Sequence, residues 1–250
     1  MKRILVVSDL HVGSKWGLTS KKDNSVQRKL FGWWREMVDE TGSVDACIVN
    51  GDIRDGLNRK EEGEGVELDA KDQILVAVDL LERVDCKKFY GTQGTGYHTK
   101  KNPSMDWAVI HSLKGTFDTE LALTIEKTRF HVAHKIGVSG SGQMYHGTPI
   151  SKEMMVASLN REQMGKFDVI LRGHTHYFFY TGSKSTLAVI GPCWEGRDPY
   201  AATSSLKWNP DIGWMLFEVD GDSYSWEHHT KKLDQSELFT EQRFRERILS

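Results

Sequence analysis

The 250-residue sequence predicts an α/β fold built around a parallel sheet. Three observations carry that prediction. Short runs rich in Val and Ile recur, and several stop at Gly, Asp or His. Segments with apolar residues at helical spacing lie between them. In the first part of the chain the two kinds alternate as strand, helix, strand, helix, strand, an order that needs helical crossovers between parallel strands.

The elements follow in turn. Lys2–Ser8 holds Ile4, Leu5, Val6 and Val7 in succession, as in a strand buried on both faces. Residues 13–24 are polar and Gly-containing and read as a loop. A helix is expected over 25–40, with Val26, Leu30, Trp33, Trp34, Met37 and Val38 at helical spacing and Ser25 as its N-cap. Residues 45–50 form a second strand ended by Gly51. A charged loop over 55–65 leads to a helix over 66–84, with Ile74, Leu75, Val78 and Leu81 on its apolar face. Residues 87–92 give a third strand. The second half is richer in strands, at 120–125 and 129–133 as a pair, then 168–172, 177–180 and 186–190, with a helix over 153–164. Strands over 214–219 and 224–228 flank Asp220-Gly221, a hairpin turn sequence. A domain over 1–235 and a charged, helical tail over 236–250 complete the reading.

Composition narrows the function. The formal net charge of -2 argues against a protein that coats nucleic acid without regard to sequence. The three cysteines, Cys47, Cys86 and Cys193, are far apart and form no CxxC pair, so neither a disulfide framework nor a cysteine zinc site is readable. The first apolar run is too short for a secretory signal, and no run approaches the roughly 20 residues that span a membrane. A cytoplasmic protein without membrane attachment is expected.

Metal-capable residues gather just past the strands, where open α/β sheets bind ligands. Asp9 and His11 follow the first strand, and alternation along an extended chain would set both on one side. Gly51-Asp52 follows the second, and a carboxylate with two oxygens can bridge two cations. Gly94-Thr95-Gly96-Tyr97-His98 follows the third. Gly173-His174-Thr175-His176 follows the strand at 168–172, with two imidazoles at i and i+2. His134 ends the run that begins at Phe130, and alternation separates it from His131. Each cluster alone also reads as an ordinary turn; their joint order does not.

That order, Asp-x-His, Gly-Asp, a Gly loop with His, a lone His and Gly-His-x-His, resembles the calcineurin-like metallophosphoesterases. The resemblance spans residues 1–190. It implies a four-layer α/β/β/α sandwich, two mixed sheets flanked by helices. It also implies two divalent transition-metal ions, manganese foremost and iron, zinc, nickel or cobalt otherwise. By position, one takes Asp9, His11, Asp52 and His176, and the other shares Asp52 and takes His134 and His174. The third motif departs from the family's usual Gly-Asn-His. Thr95 stands where Asn is a ligand, and His98 lies two residues later than usual, a form that resembles bacteriophage members, whose setting would be the host cytoplasm. His98 is then a ligand or the general acid, and the catalytic role is preferred.

The activity implied is hydrolysis of a phosphate monoester or diester by attack of a metal-bridging hydroxide. Thr95 and Arg54 are candidates to contact substrate. Lys15, Trp16, Lys21, Lys22, Arg54, Arg59, Lys60, Lys100 and Lys101 could form a basic rim with an aromatic for nucleic acid, which makes a nuclease the alternative. Trp194 and Arg197 could border the same pocket. A metal-binding scaffold without catalysis is the third reading.

Overall fold

Strand β1 (Lys2–Ser8) is buried from Ile4 to Ser8, and its two faces serve two different cores. Ile4 and Val6 pack with Ile48, Val132, Leu171 and Phe217. Leu5 and Val7 pack with Leu30, Trp34, Leu80 and Trp194. An apolar run of period one therefore needs a layer on each side, and the chain supplies both. The computed structural model describes residues 1–56, 69–99, 104–137, 145–196 and 209–234.

Helices α1 (Ser25–Thr41) and α2 (Ala70–Glu82) cover the outer face of the first sheet. Strands β2 (Ala46–Asn50), β3 (Phe89–Thr92) and β4 (Thr116–Asp118) extend β1 in parallel. Between β3 and β4 lie α3 (Gly96–Thr99) and α4 (Ser104–Ser112). The second sheet holds β5 (Glu120–Ile125), β6 (Thr128–Ala133), β7 (Val169–Arg172), β8 (Phe179–Gly182) and β9 (Leu187–Ile190). Its order is β5-β6-β7-β9-β8, with β6, β7 and β9 parallel and both edge strands antiparallel. Helix α5 (Gly147–Leu159) packs Ile150 against Ile170, Ala188 and Ile190 on its outer face, and α6 (Arg161–Met164) follows. Strands β10 (Ile212–Asp220) and β11 (Ser223–Lys231) return to the first sheet, whose order is β11-β10-β1-β2-β3-β4. The result is the expected four-layer α/β/β/α sandwich of two mixed sheets.

Several boundaries differ from the sequence reading for identifiable reasons. The N-cap of α1 is Asn24, not Ser25. Its side chain accepts from the Gln27 backbone N–H while the Gln27 amide reaches back to it, a capping box. On α2 the buried face is Gln73, Val76, Ala77, Leu80 and Leu81, and Leu75 is 56% exposed. Of the expected face, Leu81 is buried and Ile74 and Val78 pack partly buried against the core, so Leu75 alone departs; this helix is apolar over most of its circumference, which weakens the periodic signal. The helix expected over 153–164 starts earlier, at Gly147, and breaks at Asn160. The hairpin turn is Gly221-Asp222, since Asp220 still pairs with Ser223 and Gly221 takes the positive φ of 62°. The start of the expected 66–84 helix, the tail over 236–250, and Arg59, Lys60, Lys100, Lys101 and Arg197 lie outside the described residues.

Candidate metal centre

Every strand that leads into the site ends at the same rim of the sandwich. Asp9 and His11 leave β1, Asp52 leaves β2, Thr95 and His98 leave β3, His134 leaves β6, and His174 and His176 leave β7. The reason that Asp9 and His11 face one way is not extended alternation. Both residues are in the left-handed region, with φ of 53° and 45°, and so are Asp52 at 43°, His174 at 76° and His176 at 57°. Eight described non-glycine residues have positive φ, and these are five of them. Each such residue costs on the order of 1–3 kcal/mol, so their concentration at one rim marks a functional turn cluster. Backbone bonds lock the turns. Asp9 N–H donates to the Gly51 carbonyl at 3.2 Å, His11 N–H to the Asp52 carbonyl at 3.0 Å, and His174 N–H to the Asp9 carboxylate at 3.2 Å.

Two glycines are required by space. A Cβ on Gly51 would lie 2.4 Å from the His134 ring, and its φ is 69°. A Cβ on Gly94 would lie 2.0 Å from Asp52 Oδ1.

Among the described residues three groups of donors stand close enough to hold an ion: Asp9/His11/His176, Asp52/His134/His174, and His11/Asp55/His98, which shares His11 with the first. In the first, His11 Nε2 lies 3.2 Å from His176 Nε2, His176 Nε2 lies 3.3 Å from Asp9 Oδ1, and His11 Nε2 lies 3.9 Å from Asp9 Oδ1. Ligands about 2.1 Å from one cation at tetrahedral angles stand about 3.4 Å apart, so these three atoms fit one ion. In the second, Asp52 with His134 and His174 brings ligand atoms within 4.8 Å of one another, and His134 Nε2 is 2.8 Å from Asp52 Oδ2. His134 Nε2 also stands 3.6 Å from Asp9 Oδ1, which joins the groups. The His134 ring is oriented from behind. Its Nδ1–H donates to the Asn50 carbonyl at 2.6 Å, leaving Nε2 for the site. Nitrogen and oxygen donors without thiolate fit a divalent transition ion.

The protonation pattern of the cluster follows from its charges. Burial alone would raise the Asp9 and Asp52 carboxyls, yet His134 above all holds both well below the usual range. Burial opposes charge on His134, but Asp52 and Asp9 push it up to about 9. His11 is raised well above its usual value against its burial, by Glu195, Asp55 and Asp9. His174 is pushed down to about 4 by burial and by the adjacent His134. In the absence of a cation, then, His11 and His134 each hold a proton where positive charge is needed.

Asp55 joins the site, although no sequence motif singled it out. Its Oδ1 lies 3.3 Å from His11 Nδ1 and 3.3 Å from His98 Nδ1, and its carbonyl accepts from His98 Nδ1 at 2.8 Å. Burial works against its charge, but the His11 and His98 contacts keep its carboxyl down at about 2. Burial and the adjacent His11 would lower His98, and Asp55 and Asp52 together more than offset them, so His98 is raised. Glu195, five residues past β9, is the second addition. It is 3% exposed, with Oε2 at 3.5 Å from His11 Nε2 and 3.6 Å from His176 Nδ1. The available signal was position: both are acidic residues a few places beyond a strand end, without a neighbouring His.

Thr95 and Arg54 are both turned inward. Thr95 donates to Asp52 through its N–H at 2.7 Å and its hydroxyl at 3.1 Å. Arg54 is 2% exposed, donates to Gln73 Oε1 at 3.2 Å and stands 3.8 Å from Asp106. It forms no part of a basic rim. Trp16 packs against the helix-side core, whereas Lys15, Lys21 and Lys22 are exposed. Trp194 is also core, edge-on to Trp34 at 5.0 Å.

No family model matches the sequence. No curated protein matches it either. Solved structures do. Vps29 from Entamoeba histolytica, complexed with Zn+2, aligns at a TM-score of 0.52 with 12% identity, over 92% of this chain and 98% of that one. Vps29 from Chaetomium thermophilum aligns at 0.50 with 11% identity, over 93% and 99%. A novel archaeal phosphodiesterase aligns at 0.48 with 13% identity, over 91% and 99%. At such identities the likeness to the two Vps29 structures establishes the fold alone, the four-layer sandwich of two mixed sheets. Among the described residues no helix is long and apolar enough to cross a membrane.

Proposed function

We propose that this protein is a dinuclear metal-dependent phosphoesterase of the calcineurin-like class. The observation that supports this most is the convergence of the two donor groups, Asp9/His11/His176 and Asp52/His134/His174, on one rim. The first group would hold one divalent cation and the second group the other, with Asp9 standing beside both. Bound cations would supply Lewis acidity, activating a water and neutralising charge on the phosphoryl oxygens.

The rest belongs to the chain. Asn50 and Asp55 fix the His134 and His11 rings through Nδ1, so that each presents Nε2 to the centre. Thr95 holds the Asp52 carboxylate in place. His98 is the general acid in this reading. Its Nδ1 is engaged by Asp55, which keeps the ring protonated at higher pH, and a proton on Nε2 serves the leaving oxygen.

The test is to strip metal from the protein and add back manganese, zinc or nickel. Hydrolysis is then assayed on a chromogenic monoester, a chromogenic diester, and single- and double-stranded DNA. Metal-dependent hydrolysis of an ester, abolished by Asp52→Asn, is expected. Absence of hydrolysis with every metal, or Asp52→Asn turning over like wild type, sinks the proposal. DNA cleavage would make the enzyme a nuclease.

A further inference from the structure

The donor groups above account for Asp9, Asp52 and the histidines, but not for Glu195. This side chain is almost fully buried, and it is aimed at two imidazoles of the same group. Its Oε2 approaches His11 from the Nε2 side, the side that faces Asp9 and His176, while His11 Nδ1 is taken by Asp55. It approaches His176 from the opposite nitrogen, Nδ1, while Nε2 faces the donors. One carboxylate therefore borders the Asp9/His11/His176 group on its open flank and orients one of its rings from outside.

Charge supplies a second argument. Four carboxylates, Asp9, Asp52, Asp55 and Glu195, surround the cluster, and all are buried or nearly so. A buried carboxylate without a counter-charge is costly. Asp106, the next carboxylate inward, already has Arg54 beside it. The four that remain together carry the charge of two divalent cations, and Asp55 spends its contacts on His11 and His98. Divided by contact, Asp9 and Glu195 adjoin the His11/His176 position, whereas Asp52 is the carboxylate of the His134/His174 position.

Building on the dinuclear reading, we infer that Glu195 is a charged member of the Asp9/His11/His176 cation position, and that this position binds its ion more tightly than the other. The backbone holds Glu195 there. Trp194 N–H donates to the Asp9 carbonyl at 2.9 Å and Gly196 N–H to the Trp16 carbonyl at 2.8 Å, so the bonds on either side of residue 195 tie it to the loop after β1.

The experiment titrates metal-free full-length protein with manganese. Free and bound ion are followed by electron paramagnetic resonance, and stoichiometry by elemental analysis after gel filtration. Wild type is expected to bind two ions in two separable steps. Glu195→Gln keeps size and loses charge. It is expected to weaken one step by about 10–100-fold and leave the other within about threefold. The weakened step is the one that His176→Asn weakens, not the one that His174→Asn weakens. Two unchanged steps in Glu195→Gln overturn the inference, and so does equal weakening of both. Should that variant fail to fold, Glu195→Asp is read in the same way, with its carboxylate drawn back by one methylene. Wild type that binds no manganese, zinc or nickel would instead overturn the dinuclear reading itself.

Discussion

If two cations occupy the proposed positions, removing them should load the site with protons at His11 and His134. His134 lies at about 9 in the metal-free fold against 6.5 ordinarily, and His11 is also raised well above 6.5. At pH 7 both rings are therefore protonated, one in each donor group. A cation needs the neutral ring, so filling both positions at pH 7 should release about two protons. Apparent affinity for the His134 position should rise about tenfold per pH unit between pH 6.5 and 9, then level off. The same proton bears on stability. The gap between 6.5 and about 9 is worth about 3 kcal/mol, present below pH 6.5 and lost as pH rises through 9. His174 acts in reverse. Its folded value of about 4 means that folding becomes less favourable, by up to about 3 kcal/mol, as pH falls from 6.5 to 4. Metal-free protein should thus be most stable near pH 6.5, while Asp9 and Asp52, held low, add further loss in acid. Titration calorimetry in two buffers of different ionisation enthalpy counts the protons, and urea denaturation at several pH values gives the stability curve. Zero proton release at pH 7 with affinity flat across the range would refute the reasoning.

Other outcomes follow from single contacts. Asp55→Asn removes the charge that keeps His98 protonated. Turnover should drop about 10–100-fold, and the alkaline limb of the pH–rate profile should move to lower pH; an unmoved limb excludes His98 as the acid. Thr95→Val deletes the hydroxyl bonds to Asp52 while keeping the N–H bond, at about 1 kcal/mol in denaturant stability, with weaker cation binding seen by calorimetry. Arg54→Met strands the buried Asp106 and should cost about 3–5 kcal/mol, most of it recovered by adding Asp106→Leu. If Arg54 bound substrate instead, the single variant would raise KM and leave the denaturation midpoint unchanged. Trp34→Ala opens the core beneath Trp194 and breaks the bond from Trp34 Nε1 to the Leu80 carbonyl, at about 3–5 kcal/mol by chemical denaturation.

The sequence made the layered core legible because β1, β2 and β7 are apolar without interruption, and such strands need cover on both faces. Helix α2 was legible in position and in rotation except at Leu75, which looks like Leu81 without a tertiary partner. Strand β4, at three residues, and helix α4, with little amphipathic contrast, left no pattern to read. At the site, pairs such as Asp9 and His11 announce themselves because two donors sit within one turn. Asp55 and Glu195 act through His11 from 44 and 184 residues away along the chain, and no local spacing reports such a contact. The left-handed turns were equally silent, because Asp and His at positive φ carry no glycine to mark them.

The donors also divide between the two sheets. Asp9, His11 and Asp52 hang from the sheet of β1 and β2, whereas His134, His174 and His176 hang from that of β6 and β7. Each candidate cation position draws on both. An ion seated in either would act as a rivet through two leaves that are otherwise held by the apolar layer between them and by hydrogen bonds such as that from His134 to the Asn50 carbonyl. Loading the protein should then slow hydrogen exchange along β2 and β6 together, and chelation should let the leaves slide at the rim before the domain melts.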